Sequence, residues 1–199
     1  LSDIRESYVD DYRYSSAYES LADVVQPSEV RVGQVRSVDE ARLPASFGIP
    51  AIEDYSANLV YVKDLMKLGD KGMRIMASSY QIVDEDVQLE GWEPVESAGG
   101  LTVYRQLDTM PRAYAVRSLE FVDDDRFTSL SRISESDFDP SVSAVVSLPS
   151  DMQRPDISSD GAICACEVDI AKYTPGEIVV DVDSSHEALL ILAEPYYPG

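Results

Sequence analysis

Positive charge is scarce in this chain of 199 residues, which has 16 Lys and Arg residues against 37 Asp and Glu residues and a formal net charge of −21. Such a surplus of negative charge repels phosphate backbones and anionic lipid headgroups, so we expect no nucleic-acid partner. It is typical of a soluble protein or of a saline environment. Long hydrophobic runs are also missing, because no stretch of about 18 apolar residues occurs, and no transmembrane helix is predicted within these residues.

The usual sequence signatures of catalysis are absent as well. The chain has neither a glycine-rich phosphate loop nor a Gly-x-Ser-x-Gly nucleophile elbow. Its one histidine, His186, lies in Ser184–Glu187, a stretch typical of a surface turn between strands. A carboxylate pair for glycoside hydrolysis is compatible with 37 acidic residues, but their abundance singles out no pair. The sequence therefore predicts no catalytic residue and no cofactor.

Two features that could suggest metal binding have simpler interpretations. Cys164 and Cys166, the only cysteines, would point to the same face of a strand. Their Cα atoms would then be roughly 7 Å apart, at the far limit for a disulfide, so we interpret them as two small core residues. Asp123, Asp124 and Asp125 lack the alternating carboxylates and the glycine of a calcium loop. We interpret them as a helix cap and predict no metal site.

The pattern of apolar residues predicts an α+β fold whose first portion, residues 1–140, is mixed α/β. Helical spacing predicts helices over residues 14–25 and about 59–68. A third helix is predicted after the three aspartates, with Phe127, Leu130 and Ile133 on one face. Strands are predicted over residues 30–35, 73–77, 101–105 and 113–122.

The second portion, residues 141–199, is predicted to be mainly antiparallel β structure in a sandwich-like arrangement. Ser150–Gly161 is rich in polar and turn residues and is the best candidate for a mobile loop. Pro195–Gly199 carries turn signals that normally lead into another strand, so we expect an incomplete β unit and a piece of a longer polypeptide. The strands are predicted over residues 142–148, 162–171, 177–183 and 188–192.

Tyrosine dominates the aromatic residues, with 12 Tyr against four Phe and one Trp. Tyrosine rings stack on sugars and their hydroxyl groups form hydrogen bonds, although tyrosines also pack on half-buried sheet faces. Both interpretations stay open. If a glycan-binding platform exists, its candidate binding residues are Tyr104, Tyr114, Tyr196 and Tyr197.

Short segments in a fixed order along the chain resemble segments of bacterial YfhO-like membrane proteins. Gly100–Arg105 followed by Met110–Val116 resembles "gl-vYrn…lPRayvv" of that family. Gly48–Tyr55 is similar to the family's "yGi…gYd". The resemblance covers most of the chain from about Ala41 onward.

The same resemblance continues through the β-rich portion. Lys172–Pro175 with the strand Ile178–Val182 resembles "Y.pn.v.v.v", although Gly176 and Glu177 stand where the family has Asn. Leu189–Gly199 resembles "glLvlse.yYPGW" up to the residue before the tryptophan.

This resemblance implies a soluble accessory domain on the extracytoplasmic face of the cell membrane, within a polytopic protein related to lipid-linked-sugar glycosyltransferases. The catalytic acid of such enzymes lies in an early loop near the membrane, so these 199 residues alone are not expected to be active. Their expected role is to position or recognise a glycan or polymer acceptor. The implied partners are the membrane-embedded remainder of the same polypeptide and a cell-envelope glycan or lipid-linked sugar. Arg112, which matches a family motif, joins the candidate binding residues.

Two other classes of function stay open at this point. One is a carbohydrate- or protein-binding β-sandwich module of a secreted protein. The other is a soluble hydrolase that uses a pair of acidic residues. Hydrophobic spans of about 20 residues in the flanking sequence would distinguish an ectodomain from either of them.

Overall fold

The chain is described by a computed structural model, and its α+β fold, with mostly antiparallel strands in small sheets, confirms the predicted class. Two compact units are present, one formed by the described residues up to Met110 and the other by Pro111–Glu194. This division differs in position from the predicted boundary near residue 140, which marks where the strand-rich sequence begins. None of the described helices has the length and apolar character needed to cross a bilayer. The described residues are 17–19, 21–22, 32–33, 60–123, 126–149, 151–153, 165–174 and 176–194.

A four-stranded sheet organises the first unit. Its strands are β1 (Val32–Gly33), β2 (Tyr80–Asp84), β3 (Trp92–Ala98) and β4 (Leu101–Gln106). In space their order is β1-β2-β4-β3, and only the β1–β2 pair is parallel. Gly99 and Gly100 connect β3 to β4 with φ angles of 61° and 77°. Two successive positive φ angles suit the tight hairpin turn that joins antiparallel strands, and glycine adopts them without steric cost.

Both faces of this sheet carry apolar side chains, because successive residues of a strand point to opposite faces. On one face, Ile82 of β2 and Val103 of β4 are opposite each other and pack in a core cluster with Tyr18 from the helical residues 17–19 and 21–22. On the other face, Val83, Trp92 and Tyr104 form a second buried cluster, against which Leu89 packs.

Two short helices precede β2, namely α1 (Val60–Met66) and α2 (Asp70–Ile75). The first agrees with the predicted helix near residues 59–68. The strand predicted over 73–77 is wrong, because Met73 and Met76 lie on one face of a helical turn and pack against the α1 side. A short apolar run of this kind fits a buried strand and a buried helix equally well, so periodicity alone does not decide.

The strands β2 and β3 were not predicted. Four of the five β2 residues are buried, so no alternation of apolar and polar residues marks the strand. β3 is exposed along most of its length and contains Pro94, next to an irregularity in its register with β4. Proline is normally confined to edge strands and bulges, which is where Pro94 lies.

In the described residues, the second unit contains three two-stranded sheets and one helix, α3 (Arg126–Ser134). β5 and β10 are antiparallel, β8 and β9 form an antiparallel hairpin, and β6 and β7 are parallel. The strands are β5 (Ala113–Val116), β6 (Ser118–Asp123), β7 (Ser143–Leu148), β8 (Cys166–Thr174), β9 (Glu177–Ser184) and β10 (Leu189–Leu192).

The single strand predicted over 113–122 is therefore two strands that separate at Arg117 and pair with different partners. Along the chain, α3 connects the parallel strands β6 and β7, as is usual for the crossover that parallel strands need. Phe127, predicted on the packed face of this helix, is 68% exposed. Of the predicted caps, Asp123 is the last residue of β6, and Asp124 lies outside the described residues, as do Asp125 and most of the predicted loop 150–161.

Candidate functional site

Arg112, which directly precedes β5, is the largest fully buried side chain among the described residues. Its side chain is 1% exposed. An arginine stays charged inside a protein, so burial is costly unless the guanidinium group has a counter-ion and hydrogen-bond acceptors. The position of Arg112 therefore depends on partners supplied by other segments of the second unit.

Two residues from distant parts of the sequence supply those partners. Glu194, just after β10, forms an ion pair with Arg112 through Nη2 and Oε1, and its own side chain is 16% exposed. Tyr173, in β8, accepts a hydrogen bond from Arg112 Nη2 at 2.6 Å. The guanidinium carbon also lies 4.3 Å from the centroid of the Tyr173 ring, a cation–π distance. We call these three residues the Arg112 cluster.

The backbone brings the members of the Arg112 cluster together. β5 and β10 pair antiparallel from Ala113–Leu192 to Val116–Leu189. The N–H of Ala193 donates to the Arg112 carbonyl at 2.8 Å, which extends this pairing by one residue on each strand. The Tyr173 hydroxyl also donates to Glu194 Oε1 at 3.4 Å. The cluster thus ties the end of β10 to β5 and β8.

The chemistry of the Arg112 cluster is that of binding and support. It contains a cation, a carboxylate that neutralises the cation, and a phenol, but it holds no nucleophile with an adjacent base. Among the described residues, no group of three or more His, Cys, Asp or Glu side chains is placed to hold a metal ion. The arrangement therefore suggests a rigid junction between segments.

The other predicted binding residues have different surroundings. Tyr104 is 8% exposed in β4, and its hydroxyl donates to the Val87 carbonyl at 3.2 Å. Tyr114 is 8% exposed in β5, opposite Ile191. Tyr196 and Tyr197 lie outside the described residues. Arg112 and Tyr114 belong to one strand region of the second unit, whereas Tyr104 belongs to the first unit, so the described tyrosines are packed side chains of separate units.

A second charged group, centred on Arg132 of α3, was not predicted. Arg132 donates to Glu120 of β6 through Nε at 2.5 Å and Nη2 at 2.9 Å, and to Glu135 and Asp137 through Nη1 at 2.9 and 2.7 Å. The hydrogen bonds with Glu120 and then Asp137 raise the pKa of Arg132 above its ordinary value. The three-residue spacing to Glu135 is a sequence signal for one of these pairs, but Glu120 is distant in sequence.

The structure corrects the interpretation of one cysteine. Cys166, at the start of β8, is disulfide-bonded and half-buried, so the prediction that it is a small free core residue is wrong. Its Sγ lies 3.2 Å from the Ser184 hydroxyl of β9. Cys164 lies outside the described residues. His186 is exposed between β9 and β10, as predicted, and its Nδ1 lies 2.7 Å from the Ser185 hydroxyl.

Comparisons of this chain with protein-family models, curated proteins and solved structures found no match. The family resemblance therefore depends on the short segments quoted above and on how their residues are arranged. All three members of the Arg112 cluster lie within those segments, in Met110–Val116, Lys172–Pro175 and Leu189–Gly199.

Proposed function

We propose that this chain is an extracytoplasmic accessory domain of a YfhO-like polytopic membrane protein related to lipid-linked-sugar glycosyltransferases. In this role the domain positions or recognises the glycan or polymer acceptor, and the catalytic acid lies in another part of the polypeptide. Its partners are the membrane-embedded remainder of the same protein and a cell-envelope glycan or lipid-linked sugar.

The observation that carries this proposal is the Arg112 cluster. Tyr173 and Glu194 both contact Arg112, although Glu194 is 82 positions away from it in sequence. Each of the three residues lies in a segment that resembles the family. Their meeting supports the interpretation that the segments are parts of one family-specific junction.

The disulfide at Cys166 supports the location of the proposed domain. Disulfides persist in oxidising compartments such as the cell exterior and the bacterial periplasm, and they are rare in reducing cytosol. The net charge of −21 is compatible with a domain that faces the medium and meets neutral glycans. Together these features favour an extracytoplasmic position.

Fractionation and protease treatment of the producing cells test this proposal. An antibody against this chain should detect the protein in washed membranes after carbonate extraction, which removes peripheral proteins. Protease added to intact cells, or to spheroplasts where an outer membrane is present, should then digest the epitope while a cytosolic marker stays intact. Recovery of the protein only in the secreted or cytosolic fraction would contradict the proposal, and a secreted location would favour a binding module instead.

A further inference from the structure

The first unit contains a cavity of about 290 Å³ between the start of α2, β2 and the segment that joins β2 to β3. This volume lies at the lower end of the roughly 300–1,000 Å³ range of ligand pockets, so it suits a single ring better than an extended chain. The lining includes Asp70, Met73, Gln81, Gln88, Glu90 and Trp92.

Gln81 distinguishes this cavity from an ordinary surface depression. It lies in β2 between β1 and β4, is 4% exposed, and contributes its side chain to the cavity wall. Its side-chain amide forms no hydrogen bond within the described part of the chain. Gln81 is not among the described residues that have a fully buried side-chain polar atom without a partner, so its amide faces the open space of the cavity, where water or a ligand group satisfies it.

The remaining lining residues define the chemistry of that group. Asp70 and Glu90 offer carboxylate acceptors, and Gln88 offers a second amide. Trp92, 8% exposed, offers an apolar aromatic surface. Among the described lining residues there is no lysine or arginine, so a phosphate or carboxylate would meet the negative charges of Asp70 and Glu90.

We propose that this cavity binds one neutral sugar ring of a glycan, an inference that rests on the glycan-recognition role proposed above. Sugar hydroxyls donate to the Asp70 and Glu90 carboxylates, and they both donate to and accept from the Gln81 amide. The C–H face of the ring packs against Trp92. An ammonium ligand has donors only, so it would leave the N–H groups of Gln81 unsatisfied.

Neighbouring hydrogen bonds hold the cavity in shape. The segment that carries Gln88 and Glu90 is fixed by the Tyr104 hydroxyl, which donates to the Val87 carbonyl at 3.2 Å. The N–H of Val87 in turn donates to the Asp84 carbonyl at 2.9 Å. Tyr104 does not line the cavity, so it is a positioning residue for the segment.

Trp92 is the only tryptophan of the chain, so its fluorescence reports on this cavity alone. We would titrate the 199-residue chain with the methyl glycosides of glucose, galactose, mannose and N-acetylglucosamine, in low and in molar KCl. At least one of them should change the Trp92 emission saturably, with a Kd on the order of 1 mM, as expected of so small a ligand. Because the ligand is neutral, the Kd should be nearly the same at both salt concentrations.

Two variants connect this binding to the cavity. Gln81→Met keeps the size and removes the amide, and should weaken binding about tenfold, the effect of leaving a ligand hydroxyl unpaired. Gln106→Met is the matched control, because Gln106 is a buried glutamine opposite Trp92 that does not line the cavity, and should leave the Kd unchanged. Exposed Glu90→Gln should weaken binding several-fold without affecting folding, and it carries the test if Gln81→Met does not fold.

Three results would overturn the inference. They are the absence of saturable binding by every glycoside, an equal loss of binding in Gln106→Met, and saturation by methylammonium chloride but by no sugar. These results leave the membrane location untouched, because fractionation measures it independently. Sugar binding by a protein absent from membranes would instead retain the cavity assignment and contradict the proposed function.

Discussion

Replacement of Arg112 by methionine should destabilise the second unit substantially. The substitution keeps the approximate length of the side chain. It removes the positive charge that pairs with Glu194 and the N–H group that donates a hydrogen bond to the Tyr173 hydroxyl. Removal of one partner of a buried ion pair costs about 3–5 kcal/mol, because the other charge is left uncompensated. Glu194 is 16% exposed and regains some water, so we expect the lower end, about 3 kcal/mol.

The double variant Arg112→Met/Glu194→Gln separates the ion pair from other contributions. Glu194→Gln alone removes the Glu194 carboxylate charge beside the buried guanidinium and should also be destabilising. Once both charges are gone, neither is left uncompensated, so the double variant should be more stable than the sum of the single effects predicts, by about 1–3 kcal/mol. Tyr173→Phe keeps the ring and removes the hydroxyl, and should cost about 1.5 kcal/mol.

Urea unfolding followed by far-UV circular dichroism measures these free energies. Hydrogen exchange with mass spectrometry localises them, and the loss of protection should centre on β5 and β10. Arg105→Gln is the matched control, because its ion pair with Glu93 is half-exposed on both sides and should be energetically silent. An Arg112→Met variant within about 0.5 kcal/mol of the parent chain, or additive effects in the double variant, would refute the role of the cluster.

Three further predictions concern other parts of the fold. Gly72→Ala should destabilise the first unit by about 1–3 kcal/mol in urea unfolding, because the added Cβ would collide with the Leu65 carbonyl. In the control Gly91→Ala, the added Cβ meets no atom within 4 Å, so the variant should show only the cost of a φ of 81°, about 1 kcal/mol. A larger loss of stability for Gly91→Ala than for Gly72→Ala would contradict this packing. Arg132→Gln should lower the melting temperature in low salt, and it should lower it less in molar salt, which screens the ion pairs. The pKa of Arg132 is raised, so its charge is lost only in strongly alkaline solution and the effect should be constant between about pH 6 and 10. A marked change of the effect within that pH range would argue against the ion pairs. Alkylation under denaturing conditions should modify Cys166 only after reduction, and modification without reductant would show that the disulfide does not form.

The sequence predicted the helices and strands whose apolar and turn residues follow a regular local pattern. The α+β class, α1, α3, β4 and the strands near residues 143–148, 177–184 and 189–192 all follow from apolar periodicity and turn residues. β2 escaped because it is buried on both faces, and β3 because Pro94 obscures an edge strand. Residues 73–77 were assigned to a strand because a short apolar run does not determine its own period.

The contacts of the candidate sites depended on information that local pattern does not carry. Arg112 was selected from the sequence as a candidate binding residue, but its partners Tyr173 and Glu194 lie 61 and 82 positions away from it. The pairing of β5 with β10 brings Glu194 close to Arg112. The burial of the Gln81 side chain could not be predicted for the same reason. Its burial follows from the two neighbouring strands, one of which begins at Leu101.

The sequence of the source gene on both sides of these 199 residues tests the central claim most directly. We predict several hydrophobic spans of about 20 residues in the encoded protein, and a tryptophan directly after Gly199. An open reading frame that encodes these residues without any such span would contradict the membrane-protein assignment, and the chain would then be better explained as a secreted binding module.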